Sequence, residues 1–232
     1  MSAIKIENIK VTGWDVAIRG MRNPMNSWKL SDSTDKQIGE KDLDLMKRLC
    51  AAGPEHAKFL RMIRVSFDLT APLYMLKEMD TYKVGVNCNS CSTMHKIMSK
   101  PFELTDFAFD KMSYSGVDLL REVIIYLNAL RTLYLNYNDY KDEELKIENH
   151  DDNEEYVFGK ISNIFPNKKL VWYEVIQLLP SSYMQKRTYE MSYQALVNII
   201  KQRKNHKLEE WHGFCNTLLK ECPYLEELIK EK

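Results

Sequence analysis

The sequence predicts an α+β fold on three observations. Residues 62–70 alternate apolar and polar as a half-buried strand does, residues 117–134 repeat apolar positions at helical spacing, and further helical segments fill the C-terminal third. At 232 residues, 44% hydrophobic and 28% charged, the chain can bury a sizeable core, and it is read as one domain over 1–232.

Ile4, Ile6, Ile9 and Val11 predict a first strand with one irregularity of register, ending at Gly13. Residues 18–28 hold Gly, Pro and Asn together with Arg19 and Arg22, and read as an ordered loop. Leu43, Met46 and Leu49 then mark a short amphipathic helix that stops at Gly53-Pro54. In the clearest strand, Ile63, Val65, Phe67 and Leu69 share one face and Arg64, Ser66 and Asp68 the other. Ala71-Pro72 ends it, and 73–79 reads as a helix leading into the polar segment 80–95.

Val117, Leu120, Ile124, Leu127 and Tyr134 trace one face of a long helix, the spine of a helical layer. Residues 136–167 turn acidic and Asn-rich, densest at 151–155, and read as a solvated, mobile excursion. Three more helices are expected at 170–179, stopped by Pro180, at 189–203 and at 208–221, the last two separated by Lys204-Asn205-His206-Lys207.

A net charge of zero leaves no global field to draw in a polyanion, which argues against extended nucleic-acid binding. No apolar run approaches the roughly 18 residues of a membrane span. The first residues lack the basic-then-apolar pattern of a secretory signal. Five cysteines, an odd number, then predict free thiols in a reducing cytoplasm, with Cys50 and Cys215 among apolar residues as core.

Cys88, Cys91 and His95 have the spacing of half a zinc site, with no paired second half; Cys215, Cys222, His206 and His212 are the only partners in reach of such a scheme. The same stretch can be read as a phosphate-facing loop, where Lys83 and Gly85 precede Asn87, Asn89, Ser90, Ser92 and Thr93. Lys201, Arg203, Lys204, His206 and Lys207 cluster where two helices meet, as dipole complement or as an anion site. Arg19 and Arg22 suit a phosphate or a structural ion pair equally. His56 and His212 read as structural, and the chain contains no catalytic triad pattern, Walker loop or dinucleotide fingerprint.

Three blocks, taken together, carry a resemblance. Glu55-His56 through Met62 runs into a strand ending at Ala71-Pro72, similar to a GHxSPFEH block followed by Ala-Pro. Thr81-Tyr82-Lys83 and 84–94 occupy the place of an RHRxxSxNExSxRY signature. Leu179-Pro180-Ser181-Ser182-Tyr183, Asn198, Arg203, His206 and Trp211 follow the order LP, N, RxDxHAQW. The chain thus resembles a divergent member, of bacterial or phage type, of the flavin-dependent thymidylate synthase family. The departures are Thr81, Tyr82 and Lys83 for Arg-His-Arg, Cys88-Asn89 for Asn-Glu, Cys91 for serine, Thr93 for arginine, Met62 for histidine and Ile176 for arginine.

The resemblance implies a small mixed or antiparallel sheet packed on a layer of long helices. It implies reductive methylation of dUMP to dTMP, with reduced FAD supplying hydride, methylenetetrahydrofolate the carbon and NADPH the reducing power. It further implies a cytoplasmic homotetramer with sites between subunits, and no metal. Lys83, Ser90, Cys91, Ser92 and Arg203 become the expected nucleotide contacts, with Arg19 and Arg22 supplying charge the signature lacks. His56, Tyr82, Asn198 and His206 become the flavin contacts, and Arg203 and Cys91 the catalytic pair, Cys91 as a candidate nucleophile. Two alternatives stay open: a relative that binds flavin or a pyrimidine nucleotide without making dTMP, and a zinc-stabilised interaction module.

Overall fold

The computed structural model describes residues 4–34, 37–148 and 155–229. In chain order the elements are β1 (Lys5–Thr12), α1 (Trp14–Arg22), α2 (Glu40–Ala51), β2 (Arg64–Pro72), α3 (Leu73–Met79), β3 (Val86–Ser90), α4 (Thr93–Lys96), α5 (Tyr114–Leu135), α6 (Tyr137–Tyr140), β4 (Glu144–Glu148), β5 (Glu155–Lys160), α7 (Ile161–Ile164), α8 (Lys168–Leu178), β6 (Met184–Ser192), α9 (Tyr193–Arg203), α10 (Glu209–Glu221) and α11 (Leu225–Ile229). This is the α+β architecture that the sequence predicts. The chain divides into two compact units, the first Met1–Ser90 with Gln185–Lys232, the second Cys91–Met184.

The first unit holds a four-stranded sheet in the order β1-β2-β6-β3. β1 pairs antiparallel with β2, and its register slips between Glu7 and Lys10, the irregularity expected in this strand. Asn8 sits there at φ +55, a conformation that Asn tolerates better than most residues, and its amide donates to Asp68 Oδ2 at 2.9 Å. Across the next pair, Arg64 reaches Glu190 while Asp68 reaches Thr188, so residue numbers rise on β2 as they fall on β6, the antiparallel sense. The alternation then explains the core. Val65, Phe67 and Leu69 join Tyr189 and Met191, with Met75, Leu76, Leu196, Trp211 and Phe214 of the helices. Each such side chain, fully withdrawn from water, contributes about 1.5–3 kcal/mol before entropy is counted.

Several expectations for this unit need correction. Residues 14–22 form a helix, where a loop was expected from 18 onward. Ala17, Ile18 and Met21 give it a buried stripe, and Gly20, which reads as punctuation, lies within the helix facing the flexible end of the Met62 side chain. Residues 86–90 form an edge strand rather than a polar loop. Backbone pairing to β6 from Val86–Met191 through Ser90–Arg187 holds it, and no buried side-chain face is involved. Residues 184–192 form a strand, where a helix was expected from 189. Its inward positions include the polar Gln185 and Arg187 beside Tyr189 and Met191, which obscures the period of two.

In the second unit, α5 buries Leu120, Ile124 and Leu127 of the expected stripe and adds Leu130 and Leu133, while Val117 and Tyr134, expected on the same face, are half-buried. It forms a core with Val171 and Val175 of α8 and with Phe102, Phe107 and Phe165. Ser113 caps α5 by accepting from the Gly116 amide at 3.2 Å, and Asn167 caps α8 by accepting from Lys169 at 3.1 Å. The stretch 136–167, expected as a solvated, mobile excursion, contains α6, the antiparallel pair β4–β5 and α7, and the Tyr137 hydroxyl donates to the Phe165 carbonyl at 2.5 Å. Most of its densest acidic run, 151–154, lies outside the described residues. No helix among the described residues is long and apolar enough to cross a membrane.

Candidate functional site

In the first unit, the ends of α3 and α9 and the start of α10 converge on one carboxylate. Glu78 stands in the last turn of α3, and the chain then turns tightly, the Tyr82 amide donating to the Met79 carbonyl at 3.1 Å. Ser192 starts α9 as its N-cap, accepting from Ala195 at 3.2 Å, and the helix ends on Lys201 and Arg203, cations that complement its C-terminal dipole.

Glu78 Oε2 accepts from Arg203 Nη1 at 2.8 Å and from Trp211 Nε1 at 2.9 Å, and His206 Nε2 lies 3.4 Å away. The Leu208 amide donates to His206 Nδ1 at 3.2 Å, so in neutral His206 the hydrogen is on Nε2, facing Glu78. Arg203 Nε donates to the Tyr82 hydroxyl at 2.7 Å, and that hydroxyl donates to Gln202 Oε1 at 3.0 Å. The guanidinium carbon lies 4.9 Å from the Trp211 ring centre and 5.5 Å from that of Tyr82. Arg203 keeps its second terminal nitrogen without a partner among the described residues, and its side chain is 17% exposed. The cluster therefore offers a fixed guanidinium edge, the Tyr82 ring and an imidazole, backed by the fully buried Trp211. One carboxylate balances one guanidinium, so its net charge is zero while His206 is neutral.

The structure thus gathers Tyr82, Arg203 and His206 from the residues singled out in the sequence. Glu78, which organises them, was missed: a lone acid near the end of a helix reads as a solvated charge. Lys83 is exposed between α3 and β3. Ser90 is the exposed last residue of β3, and exposed Cys91 opens the second unit. The Ser92 hydroxyl is engaged as the α4 cap, accepting from His95 at 3.3 Å. Asn198 is exposed on α9, accepting from Gln194 at 3.3 Å, and His56 is exposed in a turn.

Arg22 has a different setting. It is buried, with Nε donating to Asp42 Oδ1 at 2.6 Å, and Asp42 Oδ2 accepts from the Ser31 and Ser33 hydroxyls, both at 2.6 Å, and from the Asp32 and Ser33 amides. Burial works to raise the Asp42 pKa, but the Ser31, Ser33 and Arg22 hydrogen bonds outweigh it and hold the carboxyl below its ordinary value. Arg22 and exposed Arg19 line a cavity of about 940 Å³ with Trp14, Trp28, Ser31 and Tyr224, and none of the Glu78 cluster lines it.

Among the described residues no three His, Cys, Asp or Glu side chains gather to hold a metal ion, which leaves the zinc scheme without support. Cys88 and Cys91 are exposed, Cys215 and Cys222 buried and Cys50 half-buried. Burial pushes the thiols of Cys50 and Cys215 up to about 11 and that of Cys222 up to about 12.

No family model matches the sequence, and no curated protein matches it. Among solved structures the chain is similar to thymidylate synthase X from Helicobacter pylori with FAD and dUMP, at 18% identity and a TM-score of 0.63, over 97% of this chain and 96% of that one. It is likewise similar to a flavin-dependent thymidylate synthase ThyX of the same organism complexed with FAD and dUMP, at 17% identity and a TM-score of 0.63, over 97% of both chains. Over nearly its whole length, then, this chain has the fold of flavin-dependent thymidylate synthases.

Proposed function

We propose that the protein is a flavin-dependent thymidylate synthase-like enzyme that methylates dUMP to dTMP with reduced FAD and methylenetetrahydrofolate. The observation that carries this reading is the Arg203 guanidinium, fixed by Glu78 and Tyr82 with one edge unpartnered among the described residues, in a chain of thymidylate synthase X fold. The structures of that fold were determined with FAD and dUMP.

The donor set fits an uncharged heterocycle. Tyr82 and His206 supply ring surface with hydrogen-bonding edges, held from behind by buried Trp211, which suits a flavin or a uracil ring, and Asn198 and His56 are further flavin contacts in this reading. When bound, FAD supplies the hydride. A nucleotide phosphate needs more cationic charge than a neutral cluster gives. Lys83, exposed and unpaired among the described residues, answers that need beside Arg203, with Ser90, Cys91 and Ser92 as the nucleotide segment. Arg22 gives its charge to Asp42 and so has little left for a phosphate. Cys91 is the proposed nucleophile, and the family's homotetramer with sites between subunits belongs to the same reading.

The test uses the purified full chain. A bound-flavin spectrum, with tritium release from C5-labelled dUMP that depends on methylenetetrahydrofolate and reduced FAD, is expected. A yellow protein that binds dUMP without releasing tritium is the altered relative instead. Cys91→Ser separates the roles of the thiol: lost turnover with dUMP binding retained supports the nucleophile, and full turnover removes it.

A further inference from the structure

The cavity of about 940 Å³ in the first unit is lined by the turn into α1, α1 itself, Trp28, residues from 31–34 and 37–38, and residues 223–224. Its volume lies in the range of small-molecule sites. Its walls are preformed. The α1 wall starts at Gly13, whose φ is +86 and where a Cβ would lie 2.3 Å from the Met62 carbonyl oxygen. Trp14 is held edge-on by Tyr193 at 5.3 Å and by Tyr224 at 5.7 Å between ring centres. The Trp28 indole nitrogen donates to Asn23 Oδ1 at 2.7 Å, which fixes a ring that remains 48% exposed. The loop wall is tied down by the five hydrogen bonds that Asp42 accepts from Arg22, Ser31, Asp32 and Ser33.

Tyr224, on the cavity wall, holds φ at +58, a left-handed conformation uncommon for a bulky side chain, in the turn that joins α10 to α11, where its carbonyl accepts from the Leu228 amide at 3.1 Å. Arg19 is exposed on the cavity wall with neither ion pair nor hydrogen bond among the described residues, one turn beyond Asp15 on the same wall. A guanidinium edge prefers a carboxylate or phosphate, aromatic faces prefer a planar ring, and the Asp15 carboxylate accepts from a ring amino or N–H group.

We propose that this cavity is a second binding site, for a planar aromatic ring that carries a phosphate or carboxylate, with the size and chemistry of a mononucleotide. Trp14, Trp28 and Tyr224 receive the ring, and Arg19 receives the anion. Because no residue of the Glu78 cluster lines it, the site does not depend on the thymidylate synthase reading.

Calorimetric titration of the full chain with AMP against adenosine, and with nicotinate against nicotinamide, tests it and separates phosphate from carboxylate. At least one anion should bind one site per chain more tightly than its uncharged counterpart. Arg19→Gln should weaken that anion about tenfold, the scale of a charge-assisted hydrogen bond, and leave the uncharged partner unchanged. Trp28→Ala should weaken both, and Arg203→Gln neither. Both side chains are surface-exposed, and unchanged thermal melting confirms that the variants fold. The proposal is overturned by equal binding within both pairs, by no binding of any of the four, or by an anion lost in Arg203→Gln but kept in Arg19→Gln.

Discussion

Arg22 with Asp42 and Arg203 with Glu78 are both guanidinium–carboxylate pairs, closed at 2.6 and 2.8 Å, but their side chains are 5% and 0% exposed in the first pair and 17% and 32% in the second. Asp42 is saturated by hydroxyls and amides of one loop, so the pair ties that loop to α1 and α2. Glu78 has one oxygen crowded with donors and the other unpartnered among the described residues, and the guanidinium beside it keeps a free edge. The same chemistry therefore serves stability where it is sealed and, in the proposed reading, recognition where it is left incomplete. A sealed pair has no capacity for a ligand, and an open pair loses much of its Coulomb energy to water.

The largest expected effect breaks the sealed pair. Asp42→Ala leaves a buried guanidinium and two loop amides unpaired and should cost about 3–5 kcal/mol in urea unfolding; a cost below about 1 kcal/mol would falsify its structural role. The same pair predicts a pH dependence. The folded Asp42 pKa lies below its unfolded value, so its contribution is complete above the unfolded value, about 3.9, and is lost as pH falls through the lower folded one. Asp42→Asn, compared with the parent between pH 7 and the acid limit, should flatten that acid limb; an unchanged limb would show that other carboxylates set it.

Next in size, Trp211→Phe removes the indole donor to Glu78 from a side chain with no exposed surface and should cost about 2 kcal/mol. In the open pair, Glu78→Gln should cost less than about 1 kcal/mol because the pair is partly solvated. By removing the charge that neutralises Arg203, it should tighten dUMP binding about three- to tenfold in equilibrium titration. Weaker dUMP binding in Glu78→Gln would mean that the carboxylate orients Arg203 more than it masks it. The smallest effect is expected of Tyr82→Phe, which takes one hydroxyl from Arg203 and Gln202, at about 0.5–1 kcal/mol in thermal or urea unfolding. A cost several times larger would mark the cluster as structural, like its sealed counterpart.

Legibility in the sequence followed how local the cause of each feature is. The β2 alternation, the α5 stripe, the halt before Pro180 and the slip in β1 all arise among near neighbours, and all are present in the structure. Strands β3 and β6 escaped because β3 is held by backbone pairing across about a hundred residues, and β6 turns Gln185 and Arg187 inward. Helix α1 escaped because Gly20 reads as a breaker, although the buried stripe of Ala17, Ile18 and Met21 carries the helix past it. In the site, Tyr82, Arg203 and His206 were legible as residue types in a family-like order. Glu78 was not, since it meets Arg203 only across a sequence separation of 125.

By itself the sequence determined the α+β class, the core face of β2 and most of that of α5, and the residue types on which the proposed nucleotide site rests. Periodicity of side chains selects the face that water must leave, and local backbone chemistry selects where elements start and stop. Only the tertiary structure decided which arginine is sealed and which is offered, because burial and hydrogen-bond saturation belong to contacts between distant segments and no residue carries them alone.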